Sequence, residues 1–137
     1  MNLRPLSPVL SVTPQIEVAD IADLAARGFK SIIGNRPEGE GPDQPAWSLL
    51  VAEAERYGMS GRQVPVVPGQ IGTADVKGFT QALRDLPTPI VAFCRTGTRS
   101  AMLWALTNPD GLSVDERIAA AAAQGYDIAP LRERMAQ

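Results

Sequence analysis

The chain has 137 residues, 45% of them apolar and 20% charged, with a formal net charge of −2. That suffices for one domain with its own core, and the charge balance gives no general nucleic-acid-binding face. There is no histidine and only one cysteine. This excludes Ser-His-Asp and Cys-His catalysis, the common histidine metal sites, cysteine zinc clusters, intrachain disulfides and CxxC redox pairs.

No apolar run approaches the roughly 18 residues that cross a membrane. Met1 to Val12 lacks the apolar core of a secretory signal. The chain therefore reads as cytoplasmic. In chain order, Val9 to Thr13 is a first strand. A helix follows from about Val18 to Arg27, with Ile21, Ala22, Leu24 and Ala25 inward and Gly28 as its stop. Ser31 to Gly34 is a second strand, and Asn35 to Pro45, rich in turn residues, is a loop. A second helix covers Ala46 to Tyr57, because Trp47, Leu50, Val51 and Ala54 fall on one face. Gln63 to Val67 reads as a third strand with an irregular or edge position at Pro65. Thr73 caps a third helix through Leu86, with Val76, Phe79, Leu83 and Leu86 inward. Ile90 to Phe93 is a fourth strand, and a helix from about Arg99 to Thr107 comes next. Asn108 to Gly111 is a turn, Ser113 to Glu116 a capping box for a helix through Gln124, and a short helix follows Asp127.

Strands separated by helices predict a single α/β domain with a mainly parallel central sheet flanked by helices. Sites in such folds lie at the carboxyl ends of the strands. This places three loops on one edge: Asn35-Arg36-Pro37, Pro68 to Gly72, and Cys94 to Arg99.

The last of these loops carries the chemistry. Cys94-Arg95-Thr96-Gly97-Thr98-Arg99-Ser100 joins a buried strand to a helix. It puts a sulfur over backbone N–H groups at a helix N-terminus, an arrangement that binds anions and lowers a thiol pKa. Gly97 lets the backbone turn with its amides inward. Thr96 and Thr98 add hydroxyl donors, Arg99 can fork onto an oxyanion, and Arg95 adds charge at the rim. Ser100 can hydrogen-bond the thiolate or protonate a leaving sulfur. A lone cysteine after an apolar strand is by itself most often a small core residue. Two arginines and three hydroxyls are poor core material, so the loop reads as a reactive, anion-binding one.

Outside it, Asn35 and Arg36 are candidates for the anion pocket, with Arg36 equally readable as a solvated charge. Gln70 reads as a turn residue. Trp47 and Trp104 read as core, the alanine run Ala119 to Ala123 as a face packed on the sheet, and Arg132 to Arg134 as a solvated end.

The Cys-x4-Arg-Ser pattern with its central glycine resembles the active loop of rhodanese sulfurtransferases. It is one residue shorter than the Cys-x5-Arg loop of tyrosine and dual-specificity phosphatases. From about residue 3 to residue 107 the chain resembles the phosphatase-like domain of the beta-lactamase-hydrolase-like proteins. The segments that carry this are Leu6 to Val12, Gly28 to Glu40 and Ile90 to Leu106. The resemblance implies a fold of the dual-specificity phosphatase type and sulfurtransferase activity. It also implies, as a partner, a persulfide dioxygenase of the metallo-beta-lactamase type, beside the domain or fused to it.

Two features separate the chemistries. The loop from Cys94 to Arg99 has six residues, a smaller ring than the phosphatase loop and one suited to a persulfide sulfur. The stretch Val67 to Thr73 offers no carboxylate as general acid, and Asp75 reads as a first-turn helix residue. The leading expectation is a sulfurtransferase without cofactor or metal. In it, Cys94 takes sulfur from thiosulfate or a persulfide and passes it to a thiol. The alternatives are a phosphatase using Cys94 as nucleophile and a non-catalytic anion- or partner-binding module.

Overall fold

Ile90, Val91, Ala92 and Phe93 are buried on both faces of a sheet, as the central strand of a parallel arrangement has to be. In the computed structural model, which describes residues 1–137, this strand is the last of five. The elements are β1 (Arg4–Pro5), β2 (Leu10–Thr13), α1 (Asp20–Ala26), β3 (Ser31–Gly34), α2 (Trp47–Arg56), β4 (Ser60–Gln63), α3 (Thr73–Asp85), β5 (Ile90–Phe93), α4 (Thr98–Thr107), α5 (Val114–Ala123) and α6 (Arg132–Met135). A 3-10 turn at Ala129–Leu131 leads into α6. The strand order is β1-β2-β5-β3-β4, and only the β1–β2 pair is antiparallel. The chain thus has the α/β architecture with a mainly parallel sheet that its alternating pattern predicts.

Alternation along the strands divides the core. Ile32, Val91 and Phe93 face α1 and α2, where they meet Ile21, Leu24, Leu50 and Ala54. Ile33, Ile90 and Ala92 face the other helices and pack with Phe79, Leu103, Trp104, Ala121, Ile128 and Met135. Each large apolar side chain buried here contributes about 1.5–3 kcal/mol. Trp47 stacks on Phe93 with centroids 6.3 Å apart, and Trp104 is 1% exposed, so both tryptophans are core residues. Of the alanine run, only Ala121 is buried. The C-terminal charges are not all free, since Arg132 pairs with Asp115 at 2.9 Å.

The register sets the site. Thr13, Phe93 and Gly34 stand abreast as the last residues of β2, β5 and β3. The loops that follow them therefore leave the sheet at one level.

Some boundaries differ from expectation. The third expected strand, Gln63 to Val67, lies earlier, at Ser60–Gln63. Its pairing with β3 begins at Ser31 opposite Ser60 and ends where β3 ends, at Gly34 opposite Gln63, on the free edge of the sheet where Pro65 is tolerated. Val64 and Val66 still donate to the carbonyls of Gly34 and Asn35 at 2.9 and 3.0 Å, so the chain stays extended without forming strand. Thr73 is the first residue of α3 and not its cap. The Gly72 N–H donates to the Asp75 carboxylate at 2.8 Å instead. The first strand begins at Leu10, the helix after the cysteine loop begins one residue early at Thr98, and β1 was not anticipated. The capping box at Ser113 forms as expected, with Glu116 N donating to Ser113 Oγ at 3.1 Å and Ser113 N to Glu116 Oε1 at 2.9 Å. No helix is long and apolar enough to cross a membrane.

Candidate functional site

Cys94 follows the last residue of β5 and is fully buried. Its sulfur accepts the backbone N–H of Gly97 at 3.1 Å. Gly97 makes this turn in the left-handed region, with φ 91°, where a side chain is strained. A Cβ there would also collide with the Tyr126 hydroxyl. The N–H groups of Thr98, Arg99 and Ser100 open α4 without intrahelical acceptors, leaving the positive end of the helix beside the sulfur.

Arg99 is 7% exposed. Its Nη1 donates to Glu40 Oε2 at 2.8 Å and to the Val66 carbonyl at 2.9 Å, and its Nη2 donates to Glu40 Oε1 at 2.8 Å. A guanidinium has five N–H groups, so Nε–H and one Nη2–H remain. They lie along one edge and form a second fork, which can take an oxyanion. Glu40 chiefly, with Cys94 adding to it, raises the Arg99 pKa against burial, which works the other way.

Glu40 is the functional residue that the sequence reading missed. It sits in the loop after β3 and is also bonded by Arg36 Nε at 2.9 Å. Arg99, with Arg36 beside it, holds the Glu40 carboxyl down at about 2, although burial opposes this. Only its position in a Gly- and Pro-rich loop next to Arg36 could have hinted at it. Arg36 is thereby placed behind the anion pocket, pairing Glu40 and donating from Nη1 to Gln15 Oε1 at 3.2 Å. Neither the free pocket cation nor the solvated charge describes it, since its side chain is 9% exposed.

Asn35 and Ser100 also sit behind the loop. Both are completely buried. Ser100 Oγ donates to Asn35 Oδ1 at 2.8 Å, and Asn35 Nδ2 donates to the Val64 carbonyl at 2.9 Å. The Ser100 proton is therefore committed to Asn35 rather than to the sulfur, and Asn35 cannot reach a ligand in the cleft. Together they tie the end of β3, the 64–66 segment and α4 into one frame.

Glu40, Pro68, Gly69, Arg95, Thr96, Thr98, Arg99 and Met102 line a cleft of about 400 Å3. Two of the three segments expected at this edge line it, Pro68 to Gly72 and Cys94 to Arg99, whereas Asn35-Arg36-Pro37 does not and the loop after β3 reaches the cleft through Glu40 instead. Thr96 and Thr98 join hydroxyls across 2.9 Å, Arg95 is exposed, and the Arg95 carbonyl is tethered by Gln15 N at 3.3 Å. Gln70 takes no part. From the far side, Tyr126 Oη donates to the Thr96 carbonyl at 3.1 Å, a second contact the sequence reading did not foresee.

With this geometry in hand, known proteins give a consistent picture. The model of the family described as the phosphatase-like domain of the beta-lactamase hydrolase-like protein matches residues 2–111. The chain belongs to that family. Beta-lactamase hydrolase-like proteins of Xylella fastidiosa (strain Temecula1) and Agrobacterium fabrum are 34% and 38% identical to it, over 93% and 80% of its length. This phosphatase-like domain spans only 30% and 24% of those two proteins. A candidate phosphatase from Neisseria meningitidis Z2491 is 36% identical with a TM-score of 0.86, matched over 98% of this chain and 96% of the other. Kinase associated phosphatase, with its catalytic-site cysteine replaced by serine, has a TM-score of 0.72 at 17% identity, over 96% of this chain and 88% of its own. At that identity the likeness shows the fold alone. The phosphatase-like domain thus has the architecture of the cysteine phosphatases, with Cys94 at the end of its central strand.

Proposed function

We propose that the domain is a cysteine-dependent sulfurtransferase that moves a sulfane sulfur from thiosulfate or a low-molecular-weight persulfide to a thiol acceptor. The observation that supports this over phosphate-ester hydrolysis is the state of Glu40. It is the one carboxylate lining the cleft, it is bonded by two arginines, and it is held at about 2. At neutral pH it has no proton to give. A departing alkoxide needs a proton in the transition state, and sulfite or a thiolate does not.

The Cys94 thiolate attacks the outer sulfur of thiosulfate. A new S–S bond forms on Cys94, the sulfur–sulfur bond of the donor breaks, and its electron pair leaves with sulfite. No proton moves and no redox partner is consumed. The acceptor thiolate then attacks the outer sulfur of the Cys94 persulfide, and Cys94 leaves as thiolate. The free fork of Arg99 and the first-turn amides of α4 hold the anionic donor, with Arg95 at the rim. We propose as its partner a persulfide dioxygenase of the metallo-beta-lactamase type, which would consume the persulfide formed.

Intact-protein mass spectrometry tests the reading. After brief exposure to thiosulfate or glutathione persulfide, the chain should gain one sulfur atom (about 32 Da), lose it to cyanide, and fail to gain it as Cys94→Ser. No adduct from either donor, with turnover of a phosphate ester instead, would establish the phosphatase reading. The same free fork on Arg99, suited to a phosphoryl group, favours that second reading. Neither adduct nor turnover, with anion binding unchanged in Cys94→Ser, would leave a non-catalytic binding module.

A further inference from the structure

Tyr126 lies beyond the residues matched by the family model and outside every element that forms the cleft. Its phenol is nevertheless inserted under the cysteine loop. The residue is 4% exposed, its hydroxyl donates to the Thr96 carbonyl at 3.1 Å, and Arg4 stands 4.9 Å over its ring. Arg4 is itself held by the Gln124 carbonyl at 3.0 Å. The Thr96 carbonyl and the Gly97 N–H belong to one peptide unit. In a trans peptide these two groups point in opposite directions. The carbonyl held by Tyr126 therefore aims the N–H the other way, and there it meets the Cys94 sulfur at 3.1 Å.

A lock is needed at this peptide. Gly97 sits at φ 91°, and glycine passes between positive and negative φ at little cost. Rotating the peptide by half a turn would withdraw the N–H and bring a carbonyl oxygen toward the sulfur. We infer that Tyr126 is a positioning residue for Cys94, which fixes the Thr96–Gly97 peptide so that its N–H serves the reacting sulfur. The inference rests on Cys94 being the reacting atom, which the transferase and phosphatase readings share. Burial, opposed by Arg4, raises the phenol pKa, so its hydroxyl keeps the proton it donates. The other titratable group acting on the sulfur is Arg99, itself paired with Glu40.

Tyr126→Phe removes the hydroxyl and keeps the ring under Arg4. Two readouts need no sulfur donor, so they succeed or fail independently of the transferase assay. The first is the pH profile of Cys94 alkylation by iodoacetamide, and the second is hydrogen exchange of the Gly97 amide by NMR. In Tyr126→Phe the alkylation profile should move to higher pH, and Gly97 exchange should speed up roughly three- to tenfold, the scale of one lost hydrogen bond. Ile128→Val, a core truncation in the same segment, controls for lost stability and should move neither. Both readouts unchanged in Tyr126→Phe, or equal shifts in the two variants, would overturn the inference. Should Tyr126→Phe fail to fold, 3-fluorotyrosine supplies a stronger donor in the same ring, with Tyr57 on the surface as the only other site labelled. The alkylation profile should then move to lower pH, and an unmoved profile counts against the assignment.

Discussion

Glu40 and Arg99, 59 positions apart, meet end to end, with each terminal guanidinium nitrogen 2.8 Å from a different carboxylate oxygen. The contact fixes the plane of the arginine and leaves its other edge for the Cys94 sulfur and its ligand. It also converts the one acid of the cleft into a structural anion.

Removing that anion should separate binding from turnover. Glu40→Ala leaves Arg99 and Arg36 without their shared partner, at a cost of about 1–3 kcal/mol seen as a Tm lower by several degrees. The cleft becomes more positive, so an anionic donor still binds, but Arg99 loses its orientation. The expected loss is about tenfold or more in kcat with little rise in KM. A variant with wild-type kcat would show that Glu40 does not orient Arg99.

The same pair sets an acid limit. The Glu40 carboxyl is depressed from 4.5 to about 2 in the folded chain. A depressed carboxyl stabilises the fold above its unfolded value and loses that contribution as pH falls through the folded one. The advantage of the native chain over Glu40→Gln should therefore be complete above pH 4.5 and shrink steadily toward about 2. Urea midpoints measured across that window check this, and a difference that persists at the acid end would contradict it.

Arg99 and Arg95 should behave differently although both are cationic. Arg99→Lys keeps the charge and loses both forks, so kcat/KM should fall about 100-fold and stability should fall too, since the Val66 carbonyl loses its donor. Arg95 is exposed and its side chain has no protein partner. Arg95→Ala should change KM by about two- to fivefold, leave Tm alone, and lose its effect at high salt. Comparable effects of the two substitutions would refute this division of labour.

Asn35 and Ser100 form a buried pair that a double-mutant cycle can resolve. Asn35→Ala leaves the Ser100 hydroxyl and the Val64 carbonyl without partners, at about 2–4 kcal/mol. Ser100→Ala leaves only Asn35 Oδ1, at about 1–2 kcal/mol. The double variant should cost less than the sum by about 1 kcal/mol. Additive losses in urea unfolding would mean the two do not communicate.

What could be read from the chain in advance was whatever is written in consecutive residues. Ile90 to Ser100 spells strand, tight turn and helix start in one run, and the structure keeps that order. The box at Ser113 is equally local. Glu40 and Tyr126 escaped because their meaning lies in contacts made 59 and 30 positions away. The Gln63 to Val67 stretch misled because valine favours extended backbone whether or not a ladder forms, and the partner strand β3 ends at Gly34. Asn35 reads as a pocket residue and Ser100 as a partner of the sulfur because a polar residue beside a site looks available until its burial is known.

The wall of the cleft has a further consequence for kinetics. The chain has no histidine, Glu40 has shed its proton far below neutrality, and burial pushes the Tyr126 phenol up. The protein around the sulfur is therefore electrically silent across the neutral range. A rate profile taken there should lack the bell that an enzyme relying on a separate acid and base shows. Such a wall contributes no proton of its own, and any bell in the profile has to come from the reactants.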